Sequence, residues 1–148
     1  FYFALPDSYQ PWVQVSLARQ WQHSRQLQAL IDQVPPRASV TATTYIVPHV
    51  SSRREVLRMP LLQVVNDAKQ VVNVDYILAD LWQLKQYAPA FKSDREQLQT
   101  TMPLIDQLLA QNQYGIQAIA DGVVLLRRGA VTAPAQLQHW HQLKQEYQ

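Results

Sequence analysis

Tyr114-Gly-Ile-Gln-Ala-Ile-Ala-Asp-Gly-Val-Val-Leu-Leu-Arg-Arg128 consists of two β-rich runs joined by Asp121-Gly122. An Asp-Gly pair between such runs is a strong short-range hairpin signal. Two strands joined by a two-residue turn must be antiparallel. Upstream, Val74-Asp-Tyr-Ile-Leu-Ala-Asp80 is an apolar run that reads as a central strand. Further back, a strand at roughly Ala38 to Thr43 follows Pro35-Pro36, and a second at Arg54 to Met59 stops at Pro60. Leu61 to Asn73 fits either a hairpin turning at Asn66-Asp67 or a short helix.

Helical periodicity fills the gaps between these runs. Leu17, Trp21, Leu27, Leu30, Ile31 and Val34 recur at helical spacing, with Ser16 as N-cap. Leu81 to Ala90 reads as a loop or short helix broken at Pro89. Ser93 and Glu96 form the pattern of a capping box opening a helix to about Asn112. Its apolar face is Leu98, Met102, Ile105, Leu108 and Leu109, and Pro103 inside it predicts a kink or restart. Ala133 to Tyr147 carries Leu137, Trp140, Leu143 and Tyr147 as a last amphipathic helix. Phe1 to Val15, aromatic and punctuated by Pro6 and Pro11, reads as an entry segment. The expected fold is α/β. A mixed sheet of about five strands, with a parallel part and a C-terminal antiparallel hairpin, carries helices in a three-layer-like arrangement.

Bulk properties narrow the function. A chain of 148 residues fits one domain, and 47% hydrophobic with 16% charged residues suits a packed core. The formal charge is +2, with no Lys/Arg stripe, so nucleic acid is not an expected partner. Cysteine is absent, which removes disulfides and thiolate metal sites. No apolar run reaches the ~18 residues a membrane span requires. The abrupt start at Phe1, without Met, reads as a piece cut from a longer protein. With three glycines there is no phosphate-cradling loop, and no hydrolase or zinc-protease motif is present. No cofactor is expected.

The polar segment between the first two strands holds most of the candidate chemistry. Pro48-His-Val-Ser-Ser-Arg-Arg54 places an imidazole, hydroxyls and two guanidiniums in the loop after a strand. Ligands of open α/β sheets bind at the carboxyl ends of parallel strands, and Arg beside hydroxyls suits a phosphate or carboxylate. The candidates are therefore His49, Ser51, Arg53 and Arg54. A plainer reading has His49 bonded to backbone carbonyls, and one arginine bridging Asp75 or Asp80. No His, Asp or Glu stands at ligand spacing from His49, so a metal is not expected. Asp75 and Asp80, five residues apart on one strand, point to opposite faces roughly 17 Å apart, too far for a catalytic pair. Asp75 suits the strand entry, while Asp80, at the exit, is a further ligand candidate. Asp121-Gly122 reads as a turn and nothing more. The four tryptophans read as packing, and His139 and His141 as surface.

Val34-Pro-Pro-Arg-Ala-Ser-Val-Thr-Ala-Thr, the Pro-His-x-Ser-x-Arg core, Val74-Asp-Tyr-Ile-Leu-Ala-Asp80 and Asp121-Gly-Val-Val-Leu-Leu-Arg-Arg-Gly129 together resemble one bacterial family. It is the C-terminal part of predicted multi-spanning membrane proteins grouped as domain-of-unknown-function family 2079. That family in turn resembles polytopic lipid-linked-sugar glycosyltransferases. The resemblance implies a soluble extracytoplasmic domain attached to a membrane region that carries the catalytic acid. The partners it implies are the membrane-embedded part of the same chain and a lipid-linked sugar or phosphate-bearing ligand. The alternative is an interaction module of a membrane protein that transfers no sugar.

Overall fold

The computed structural model describes residues 17–43, 55–59, 62–65 and 68–147. The entry segment, Ser16, residues 44–54 and the Asn66-Asp67 pair lie outside them. Helix α1 spans Leu17–Ile31, followed by strands β1 (Ser39–Ala42), β2 (Glu55–Arg58), β3 (Gln63–Val65), β4 (Val71–Asn73) and β5 (Tyr76–Asp80). Helices α2 (Leu81–Tyr87) and α3 (Lys92–Ala110) come next, then β6 (Tyr114–Ala120), β7 (Val123–Arg128) and helix α4 (Pro134–Tyr147).

Five strands form one mixed sheet in the order β2-β1-β5-β7-β6. β2, β1 and β5 run parallel, while β7 is antiparallel to both β5 and β6. The α/β class, the parallel part and the C-terminal hairpin are thus as the sequence predicts. The ambiguous 61–73 stretch is a hairpin: β3 and β4 pair antiparallel as a separate two-stranded sheet. The Asp121-Gly122 turn has φ of 53° and 79°, the double positive φ of a type I′ turn.

Strand alternation divides the core in two. On one face, Tyr76 and Leu78 of β5 and Val123 and Leu125 of β7 pack with Leu27, Leu30 and Ile31 of α1. On the other, Ile77, Ala79, Val124 and Leu126 pack with α2, α3 and α4, including Leu98, Ile105 and Trp140. Helices therefore cover both faces of the sheet. β6 changes sides midway. Tyr114 and Ile116 face α3 and α4, whereas Ala118 and Ala120 pack against the α1 core. The register shift between Ile116 and Ala118 is the cause, since one extra residue inverts the phase of a strand.

Two local expectations are corrected. The capping box of α3 is not formed: the N-cap is Phe91, without a side-chain cap bond. Ser93 Oγ instead reaches Asp94 Oδ1, its neighbour, at 3.5 Å. Of the kink or restart expected at Pro103, the restart does not occur, because a single helix of 19 residues runs through it. Its packing holds it together, with Leu98, Met102, Ile105 and Leu108 all buried.

Candidate functional site

The strongest polar cluster lies at the carboxyl edge of the parallel strands. Asp80 ends β5 and is also the N-cap of α2, where its Oδ1 accepts the Gln83 N–H at 2.9 Å. A strand passing directly into a helix leaves orphan N–H groups, and a capping carboxylate meets one of them. The Asp80 backbone N–H donates to Thr43 Oγ1 at 3.1 Å, tying β5 to the end of β1. The next turn is held too, since Leu81 N–H donates to the Gly122 carbonyl at 2.9 Å.

α1 delivers the cationic half. Its buried stripe is His23, Leu27, Leu30 and Ile31, so Trp21, expected on the core face, stands 60% exposed. Arg25 lies over the Trp21 ring instead. His23 is 2% exposed. Its Nε2 lies 2.6 Å from Asp80 Oδ2 and its Nδ1 2.9 Å from Asp121 Oδ2. Arg19, one turn earlier, makes a two-pronged pair with Asp121 at 2.7 and 2.5 Å. Trp82 closes the cluster. It stacks on His23 at 4.1 Å between centroids, and the Arg19 guanidinium sits 4.7 Å from the centre of its ring.

Among the described residues the cluster sets two basic side chains, Arg19 and His23, against two carboxylates, Asp80 and Asp121. Burial alone pulls the His23 pKa down, but hydrogen bonds and charges from Asp80 and Asp121 outweigh it and raise the pKa above the ordinary 6.5. Burial likewise pushes Asp121 upward, yet Arg19 and His23 bring its pKa below the ordinary 3.8. Each imidazole nitrogen faces a carboxylate oxygen, an arrangement that favours the doubly protonated ring, in which both nitrogens donate. An imidazolium with both N–H groups engaged has no lone pair for base catalysis or metal binding. Among the described residues no group of three or more His, Asp or Glu is arranged to hold a metal ion. Beside the cluster opens a cleft of about 90 Å³, lined by Gln20, Ser24, Gln83, Gln86 and Tyr87 as well as His23 and Trp82.

The candidates from sequence distribute as follows. Asp80 is at the carboxyl edge but 1% exposed, and both its oxygens are used inside the fold. His49, Ser51, Arg53 and Arg54 lie outside the described residues. Thr43, which accepts the Asp80 N–H, is the last described residue before them in sequence. Asp75, at the opposite end of β5, receives the Ser39 N–H at 3.2 Å and pairs with Arg128 at 2.9 Å. His139 and His141 are exposed. Arg19, His23 and Asp121 are what the sequence reading missed. His23 shares a helical stripe with Leu27, Leu30 and Ile31, which was the available signal. Asp121 carried none beyond its turn.

Helices on both faces of a mixed sheet, with an ionic cluster at the strand ends, define this as an α/β domain. Residues 1–125 match the family model described as "Predicted membrane protein (DUF2079)", and the chain belongs to that family. Among the described elements the match covers α1, β1 to β5, α2, α3, β6 and the first half of β7, and it stops before α4. Among the described residues no helix is long and apolar enough to cross a membrane. No curated protein and no solved structure matches the chain.

Proposed function

We propose that the chain is an extracytoplasmic accessory domain of a membrane glycosyltransferase-like protein. It positions a substrate, or braces the membrane-embedded part of the same protein, and leaves the sugar transfer to that part. One observation carries the reading: among the described residues, His23 and Asp80 at the carboxyl edge of the sheet spend their polar atoms on one another and on their neighbours in the fold. Both nitrogens of His23 face carboxylates, and both oxygens of Asp80 are taken by His23 and the Gln83 N–H. Such a cluster holds an edge rigid and does not turn over a substrate. The segment that follows Thr43 in sequence carries His49, Ser51, Arg53 and Arg54, residue types that suit a phosphate, a sugar or the membrane part.

The test uses the full-length protein in membranes, with a panel of polyprenyl-phosphate-linked sugars as donors. In the Arg53→Ala/Arg54→Ala double variant, transfer should be abolished. The variant domain should remain folded, as read by its circular dichroism. Retained transfer sinks the assignment of the loop.

A second reading, an interaction module of a membrane protein without sugar transfer, is favoured by the same cluster. Its network ties α1 to β5 and to the β6–β7 turn, which is a bracing function in itself. On that reading the double variant lowers the melting temperature, and no donor is consumed.

A further inference from the structure

Away from the His23 cluster, a groove of about 510 Å³ opens between α2, α3 and α4. That volume is in the range of sites for small organic ligands. Leu98, Met102 and Pro103 of α3 give it an apolar floor, and Lys85, Arg95 and Lys144 stand around it. Asp106 is the acidic residue among its described lining. Its Oδ1 accepts the Trp140 indole N–H at 2.8 Å and its Oδ2 the Lys144 ammonium at 3.0 Å. Lys144 is thereby neutralised.

Lys85 and Arg95 are not. Neither forms an ion pair among the described residues, and Lys85 is exposed on the last turn of α2. Arg95 spends one nitrogen on the carbonyls of Ala88 and Pro89, at 2.9 and 3.5 Å. Its other N–H groups remain to be offered. Tyr147, which also lines the groove, has its pKa pushed up to about 12, chiefly by burial, so it adds a neutral hydroxyl and no negative charge.

An apolar floor under two uncompensated cations discriminates among ligands. A small anion would use the rim and leave the floor wet. A neutral hydrocarbon would fill the floor and leave the cations idle. A chain ending in a phosphate satisfies both, and Met102 adapts to a flexible chain better than a branched residue would. We propose that this groove binds an anionic membrane lipid, with the chain over Leu98 and Met102 and the phosphate between Lys85 and Arg95. The proposal rests on the membrane attachment in the function proposed above, and it is independent of sugar transfer and of the 44–54 loop.

The test places the full-length protein in phosphatidylcholine nanodiscs doped with phosphatidic acid bearing a diazirine in its acyl chain. After irradiation, adducts should map to the Leu98–Asp106 stretch of α3. Labelling should fall roughly ten-fold or more in Lys85→Glu/Arg95→Glu, since each basic residue near an anionic lipid is worth about a factor of five. Lys85→Glu alone, at an exposed site, should give part of that loss with an unchanged melting temperature. Added salt should weaken the labelling. Three outcomes overturn the proposal: adducts confined to membrane-spanning segments, equal labelling by the matching phosphatidylcholine probe, or full competition by inorganic phosphate. Protein that takes the label in α3 but transfers no sugar leaves this site standing and removes the glycosyltransferase reading. Protein that transfers sugar without labelling α3 does the reverse.

Discussion

His23 is the residue on which the sheet edge depends. It stands between two carboxylates from distant parts of the chain, with a tryptophan on its face. Removing one member of a buried pair leaves the other charge uncompensated, which costs far more than the pair contributes intact. His23→Ala, which strands Asp80, should therefore lose about 3–5 kcal/mol of stability by chemical denaturation. Asp121→Asn is gentler. Asn keeps the left-handed turn conformation and one acceptor oxygen, but the two-pronged contact with Arg19 is lost. Its side chain is partly exposed, and the expected loss is roughly 1–2 kcal/mol. Equal losses in the two variants would mean that Asp80 is not the partner that matters. Helical periodicity marks which positions face inward, but it ranks residues by hydrophobicity. It therefore placed Trp21 inside and passed over His23, whose burial makes sense only with its carboxylates in view.

Among the elements, the hairpin shows two separate demands on glycine. Gly129 has φ of 76° with open space around it, so a side chain there meets strain alone. Gly115 has no such φ, but a Cβ there would lie 2.3 Å from the Ala130 carbonyl oxygen, a backbone atom. Gly129→Ala should cost about 1–2 kcal/mol, the left-handed penalty of an L-residue. Gly115→Ala should cost more, roughly 2–3 kcal/mol, because strand and loop must separate. Thermal melts of the two variants check the order, and a Gly129→Ala loss larger than that of Gly115→Ala contradicts it. The elements themselves were largely readable from Pro, Gly and apolar spacing. The β-bulge at Gln117 was not, because a register shift is defined by the partner strand and leaves no local mark in the sequence. The unformed capping box of α3 has the same origin: the approach of α2 through Tyr87 and Phe91 sets where α3 begins, and Ser93 ends inside the first turn.

At the scale of the molecule, the cluster makes stability depend on pH from both sides. His23 has a raised pKa in the folded state, so its contribution is full below about 6.5 and is lost as pH rises through the folded value. Asp121 has a lowered pKa, so its contribution is full above about 3.8 and is lost as pH falls through the folded value. Between these limits both contributions are present. The melting temperature should therefore be highest in mildly acidic buffer and decline toward alkaline pH. In His23→Ala the alkaline decline should flatten. A wild-type melting temperature still rising above neutral pH would contradict the charged state assigned to His23.

The sequence by itself determined the fold class, the central position of Val74–Asp80 and the antiparallel hairpin. These follow from local chemistry: apolar periodicity, proline stops and a turn whose two residues accept positive φ. It also brought Asp80 to the carboxyl edge of the parallel strands, since the end of a buried strand is predictable once the strand is. Tertiary structure alone decided what Asp80 does there. Arg19, His23, Asp80, Trp82 and Asp121 come from a helix, a strand end, a second helix and a turn, with up to 102 residues between partners. No spacing rule spans that separation. Only the packing of α1 across β5 and β7 brings the charges close enough to settle one another's protonation.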